Sequence, residues 1–237
     1  MTDDDLDDTQ TDDESVLEDM LELVELVGRV EADNRRDAIS DLEFLRGDGQ
    51  WPEQIKLERE LSRRPCLTFN TLPTYLAQIT NDQRQNKTSI QIHPVDDAAD
   101  PDTAKVYQGV VRHIEYASDA DLAYQVAGTN AAAAGVGYFR LLTDYCDDET
   151  FEQTIKYAQI RNPFSVYMDP FSVKPDGSDS RKVAITTMLS HTAFKRQYPS
   201  ADSSVGDQIV GLGDKFNGWA SDEGVRIAEF YRVEEKA

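Results

Sequence analysis

The dominant hydrophobic period of this chain changes at Gly135. Before it, apolar residues recur three and four apart, as on a helix face. After it they alternate, as on half-buried strands. Helical and stranded text that is segregated in this way does not build βαβ units. It points to an α+β fold: a helix-rich N-terminal half followed by a strand-rich, largely antiparallel half. The 237 residues are enough to bury a substantial core without staples. The expected domains are an acidic disordered tail over residues 1–10, a helical part over 11–135 and a strand-rich part over 136–237.

The N-terminus is lopsided in charge. Residues 1–25 hold twelve of the chain's 45 acids and no Lys or Arg. Residues 1–10 are too polar and self-repelling to repay the entropy of ordering. Thr11-Asp12-Asp13-Glu14 then has the spacing of a capping box, with acids at the positive end of the helix it opens. Val16, Met20, Leu23, Val27 and Val30 line one face, and Leu17, Leu21 and Val24 widen it. Such a stripe needs a cover, from the same chain or from a neighbouring one. Gly28 and Asn34 weaken the run, while Ala38, Leu42 and Leu45 resume it until Gly47-Asp48-Gly49, giving one long kinked helix or two.

Trp51-Pro52-Glu53 opens another helix, with Ile55, Leu57 and Leu61 on its apolar side. Arg64 to Asn70 is extended, because the residue before Pro65 is disfavoured in the helical region. Helices follow over Thr71–Asn81, Asp102–Tyr116 (Val106, Val110, Ile114) and Ser118–Ala134, the last with an alanine-rich end that admits a close neighbour. Thr88 to His93 alternates Ile90 and Ile92 with polar residues, the pattern of a half-buried strand. Further strands are expected over Val136–Tyr145, Phe151–Ile160, Ser165–Asp169, Arg181–Leu189 and Val225–Glu234. Pro163, Pro170, Pro175, Gly177 and Asn217-Gly218 form the connections between them.

Composition and spacing exclude more than they select. A net charge of −21 opposes gripping DNA by its phosphates. Cys66 and Cys146, without an apolar, positively flanked leader, indicate reduced thiols in a cytosolic compartment. Cys66, in the apolar context Cys-Leu-Thr-Phe, is expected as a packed core thiol. The most apolar stretch, Ala131 to Leu142, is interrupted by Gly135, Gly137 and Arg140 and falls short of the ~20 residues that span a bilayer, so no membrane is involved. His93, His113 and His191 sit at no metal-ligand spacing. Asp169-Pro170 followed by Asp176-Gly177-Ser178-Asp179 lacks the closing Glu of a calcium loop and reads as a polar surface loop. Gly135-Val136-Gly137 and Gly211-Leu212-Gly213 lack the third glycine and the lysine of a phosphate loop. The expectation is no cofactor, no metal and no enzyme. The acidic tail leaves one alternative open: a DNA-mimic or adaptor protein that binds a basic partner.

Six strings carry more. In order, they are Arg36 to Trp51 (RDAISDLEFLRGDGQW), Arg64 to Asn70 (RPCLTFN), Arg84-Gln85-Asn86, Gly135 to Tyr145 (GVGYFRLLTDY), Arg161 to Pro170 (RNPFSVYMDP) and Ile227 to Glu235 (IAEFYRVEE). Together they resemble the N-terminal, wing portion of portal proteins from short-tailed bacteriophages of the enteric type. The acidic leader before Arg36 lies outside the resemblance.

The resemblance implies a non-enzymatic structural subunit of a ring of about twelve copies at one capsid vertex. That ring is the conduit for genome packaging and ejection and the attachment point for terminase and tail. Its implied partners are itself, the coat protein, and terminase and tail or head-completion proteins, with DNA passing non-specifically. It implies a place in the virion after assembly in the host cytoplasm. The stem, clip, crown and barrel of such proteins are expected to be absent from this chain. Within the strings, Trp51, Arg64, Phe69, Asn70, Arg84, Asn86, Arg140, Arg161, Tyr167 and Asp169 are the interface or structural candidates. Arg64, Arg84, Arg140 and Arg161 could each make a bidentate pair with a carboxylate, across subunits or within one.

Overall fold

The computed structural model describes residues 3–87, 89–95, 100–147, 149–174, 176–201, 219–221 and 224–234. Gly211-Leu212-Gly213, Asn217-Gly218 and Pro175 lie outside them. Among the described residues, six helices precede Gly135, and antiparallel strands with one short α-helix and one 3-10 turn follow it: the fold is α+β. The chain folds into two compact units, residues 1–35 with 164–237, and residues 36–163. The change of period at Gly135 therefore falls inside the second unit.

The first unit is built on α1 (Asp3–Val30), β3 (Val166–Met168), β4 (Lys182–Leu189), β5 (Ala220–Ser221) and β6 (Gly224–Arg232), with strand order β3-β4-β6-β5 and antiparallel pairing throughout. The apolar stripe of α1 finds its cover inside the chain. Met20, Leu21, Leu23 and Val27 form one core with Ala184 of β4, flanked by Tyr167, Trp219, Ala228 and Phe230. Val27 and Ala184 are fully buried. Beside this core Asp19 pairs with Lys182 (3.1 Å) and Arg232 (3.6 Å), and Arg232 also reaches Glu234 (2.7 Å). The helix starts at Asp3, ahead of the capping-box position at Thr11. Once a helix is nucleated each further residue adds a backbone hydrogen bond.

Of the two arrangements open for the next stretch, the structure has two helices. α1 ends at Val30 and α2 (Ala32–Arg46) follows after a bend at Glu31. The backbone bonds Glu31 N–H to Val27 O (2.9 Å) and Arg35 N–H to Glu31 O (2.8 Å) continue the ladder on both sides. The short α7 (His191–Gln197), capped by the Ser190 hydroxyl, and the two-residue β5 were not expected. Both are too short to show a period.

In the second unit α2 stops at Gly47-Asp48: Gly47 N–H bonds Phe44 O and Asp48 N–H bonds Glu43 O, with Gly47 in the left-handed region (φ 94°). α3 (Glu53–Leu61) ends in the same way, but Arg63 occupies the left-handed position (φ 53°), and Arg64 N–H bonds Arg59 O. α4 (Leu72–Gln85), α5 (Pro101–Ala117) and α6 (Ala120–Ala134) follow. Asp100 caps α5 through the amides of Asp102 and Thr103, which holds its carboxyl below the ordinary value. Ala120, Ala123 and Ala127 give α6 a small buried face. The close approach expected there is real: a Cβ on Gly137 would sit 1.8 Å from the carbonyl oxygen of Ala127. β1 (Phe139–Tyr145) and β2 (Gln153–Gln159) form a separate two-stranded antiparallel sheet. One expected strand is missing. Ser89 to Pro94 is irregular backbone, because no other described strand lies beside it; Thr88 is outside the described residues.

Candidate functional site

The ten candidates fall into small local constellations, most of which secure the backbone. Trp51 lies under the guanidinium of Arg59 (4.8 Å to the ring centre), and Arg59 also donates to Pro65 O (3.1 Å). This stack holds the segment before α3 against the segment after it. Asn70 does the same for α2 and α4, donating to Leu45 O (2.7 Å) while its Oδ1 accepts from Leu72 N–H (3.2 Å). Phe69, one residue earlier, is 86% exposed.

Arg84 and Asn86 meet at the end of α4, where with Gln83, Lys87, Asp121, Tyr124 and Gln125 they line a cleft of about 70 Å³. Asn86 closes the helix through Asp82 O (3.1 Å), and Lys87 is ion-paired with Asp121. Behind the cleft Tyr124 makes edge contacts with Phe139 (5.2 Å) and Tyr157 (5.5 Å) and donates to Glu115 (3.1 Å). Burial, with help from Tyr157 and Glu115, pushes its phenol well above the ordinary value. Arg140 is half-buried on β1, opposite Ala158. Arg161 contributes its carbonyl, which accepts from Asn130 (3.1 Å). The side chains of Arg64, Arg84 and Arg161 are exposed, and no carboxylate among the described residues lies within 4.0 Å of them.

Tyr167 packs on the core of the first unit, and over its ring, at 4.7 Å, lies Arg35, which spacing did not single out. The Arg35 guanidinium donates to Phe164 O (2.9 Å), Val166 O (2.8 Å) and Glu31 (3.1 Å). It thus ties together the two places where the chain crosses between units, after residue 35 and before residue 164. Asp169 is a turn residue whose Oδ1 accepts from Phe171 N–H (3.0 Å). The polar loop beyond it is organised by Asp179, which accepts from Ser172 Oγ (2.6 Å) and from the amides of Val173 and Lys174. Those bonds, the Ser172 hydroxyl first, hold its carboxyl below the ordinary 3.8. Among the described residues no group of carboxylates, His and Cys could hold a metal ion, and no helix is long and apolar enough to cross a membrane.

What these side chains do is cap, stack and clamp, and what they leave on the surface is arginine and apolar area. The phage P22-like portal protein family matches residues 24–237, and the chain belongs to it. The family is structural and not enzymatic. A curated relative, the "Portal protein" of Acyrthosiphon pisum secondary endosymbiont phage 1, is 26% identical over 197 residues, which is 80% of this chain. The chain spans 27% of that relative's length.

Proposed function

We propose that this chain forms the outer, wing-like part of a phage portal subunit. About twelve identical copies would close into a ring at one capsid vertex, the passage through which the genome is packaged and ejected. The observation that carries this reading is the family match, continuous from residue 24 to 237. The ring's partners are the coat protein around it and, through the complete subunit, terminase and tail or head-completion proteins. It assembles in the host cytoplasm and remains in the virion. DNA passes without being read: a chain with 45 acids against 24 basic residues does not hold phosphates, and cargo that must slide is best left unheld.

A ring interface is heterologous, one patch meeting a different patch on the next copy, and it needs surface that is not satisfied within the subunit. The guanidiniums of Arg64, Arg84 and Arg161, exposed and with no carboxylate within 4.0 Å among the described residues, and exposed side chains such as Phe69 and Leu61 are of that kind. Native mass measurement of the complete subunit tests the proposal. A closed oligomer of uniform copy number is expected, and a monomer or dimer that persists under assembly conditions would overturn it.

A further inference from the structure

The second unit contains a strand without a sheet and a sheet edge without a strand. Ser89 to Pro94 carries the alternation of a strand, with Ile90 and Ile92 on one side. Yet none of its backbone groups bonds to the backbone of another described residue. β1 is the converse. It pairs with β2 on one side, and no described strand lies on the other. Cys146 N–H bonds Glu152 O, and because antiparallel pairs alternate, the amides and carbonyls of Leu141 and Thr143 point out of the hairpin. Among the described residues, the Tyr145 amide is taken by the Asp144 carboxylate (2.9 Å). Leu141 is 59% and Tyr145 53% exposed. An edge with no described partner strand and one largely apolar face is what soluble proteins ordinarily cover.

We propose that in the ring the Ser89–Pro94 segment of one copy adds as a strand to the free edge of β1 in the next copy. This rests on the portal-ring reading and names the contact that would join its subunits. Charge sets the direction. Gln83 to Val95 holds no acid, and of its two cations Lys87 is taken by Asp121 while Arg84 has no described carboxylate within reach; at the hairpin tip Asp144 is taken by Lys156, but Asp147 to Glu152 holds four more acids and no Lys or Arg. Bringing Arg84 to the tip runs the segment antiparallel to β1. Parity sets the face. Phe139, Leu141 and Tyr145 share one side of β1, so Ile92 opposite Leu141 and Ile90 opposite Thr143 extend a single apolar surface across three strands. Main-chain bonds then give the contact its strength and the isoleucines its register, as in strand addition generally. One patch meets a different patch, the relation a ring needs.

The test uses the complete subunit with Cys66→Ser and Cys146→Ser. Copies carrying Gln91→Cys are mixed with copies carrying Leu142→Cys, assembled and oxidised. These positions face each other in the stated register. A disulfide-linked pair is expected in the mixture and in neither parent alone. Ile92→Pro, which removes an inward amide from the new ladder, should abolish rings while leaving the far-ultraviolet circular dichroism unchanged, and Ile92→Val should preserve them. Rings of normal mass without the mixed disulfide would overturn the strand addition and leave the ring reading standing. Monomers from the unmodified chain would overturn both. An intramolecular disulfide in the Gln91→Cys/Leu142→Cys double variant would show that the segment pairs with its own hairpin, against the proposal.

Discussion

Replacing Arg35 by alanine removes the clamp at the two chain crossings, and its cost can be worked from the geometry. The side chain is 20% exposed and makes two bonds to main-chain carbonyls, at 2.9 and 2.8 Å, plus a stack on Tyr167. Hydrogen bonds from a charged donor are worth roughly 1.5–3 kcal/mol each, and a partly exposed cation–π contact about 0.5–1. The Glu31 pair, four residues away on a helix, adds only about 0.3–0.5 kcal/mol. Because water recovers part of what the carbonyls lose, the expected loss is about 3 kcal/mol for Arg35→Ala. Arg35→Lys keeps the charge but not the fork, and should lose roughly half as much. The chain's two tryptophans separate the units: Trp219 lies against the core of the first and Trp51 belongs to the second. Urea unfolding followed by Trp219 emission in a Trp51→Phe background should show the midpoint falling by roughly 1–2 M. A loss below about 0.5 kcal/mol in that signal would refute the clamp.

Other positions give independent checks. Gly137→Ala forces a Cβ to within 1.8 Å of the Ala127 carbonyl, so backbone must move, and thermal unfolding should show a loss of at least about 2 kcal/mol. Arg63→Gly relieves a left-handed non-glycine residue at the end of α3 and should stabilise the second unit by about 0.5–1 kcal/mol, read from Trp51 emission during urea unfolding. Asp179 has a folded-state pKa below its ordinary 3.8, so its bonds stabilise the loop above that value and are lost as pH falls through the lowered one. The amide resonances of Val173 and Lys174 should therefore move with an apparent midpoint below 3.8. A midpoint at or above 3.8 would contradict the assignment, and Asp179→Asn should abolish the transition.

The elements that could be read from the sequence were those whose signal is local. The stripe from Val16 to Val30, the Gly47 stop and the alternation of the strands after Gly135 each state their structure within a few residues. The partition into units could not be read in this way, because the first unit joins α1 to strands more than 130 residues later, and no local period records that. Arg35 is the same case on the scale of one side chain. It is one of two adjacent arginines, and its role appears only when the carbonyls of Phe164 and Val166 are brought to it. The segment after Thr88 has strand-like text without a sheet, since alternation states which face seeks burial but not whether a partner strand is present. Of the candidate positions, Asn70 and Asn86 turn out to be helix-end ties and Trp51 an arginine platform. The strings marked these residues but carried no geometry.

Imaging the assembled portal in the virion and locating residues 36–237 tests the central claim most directly. These residues should form the outer circumference of a closed ring of identical subunits, against coat protein and away from the narrowest point of the passage. Finding them lining the constriction, or finding no ring at the vertex, would contradict it.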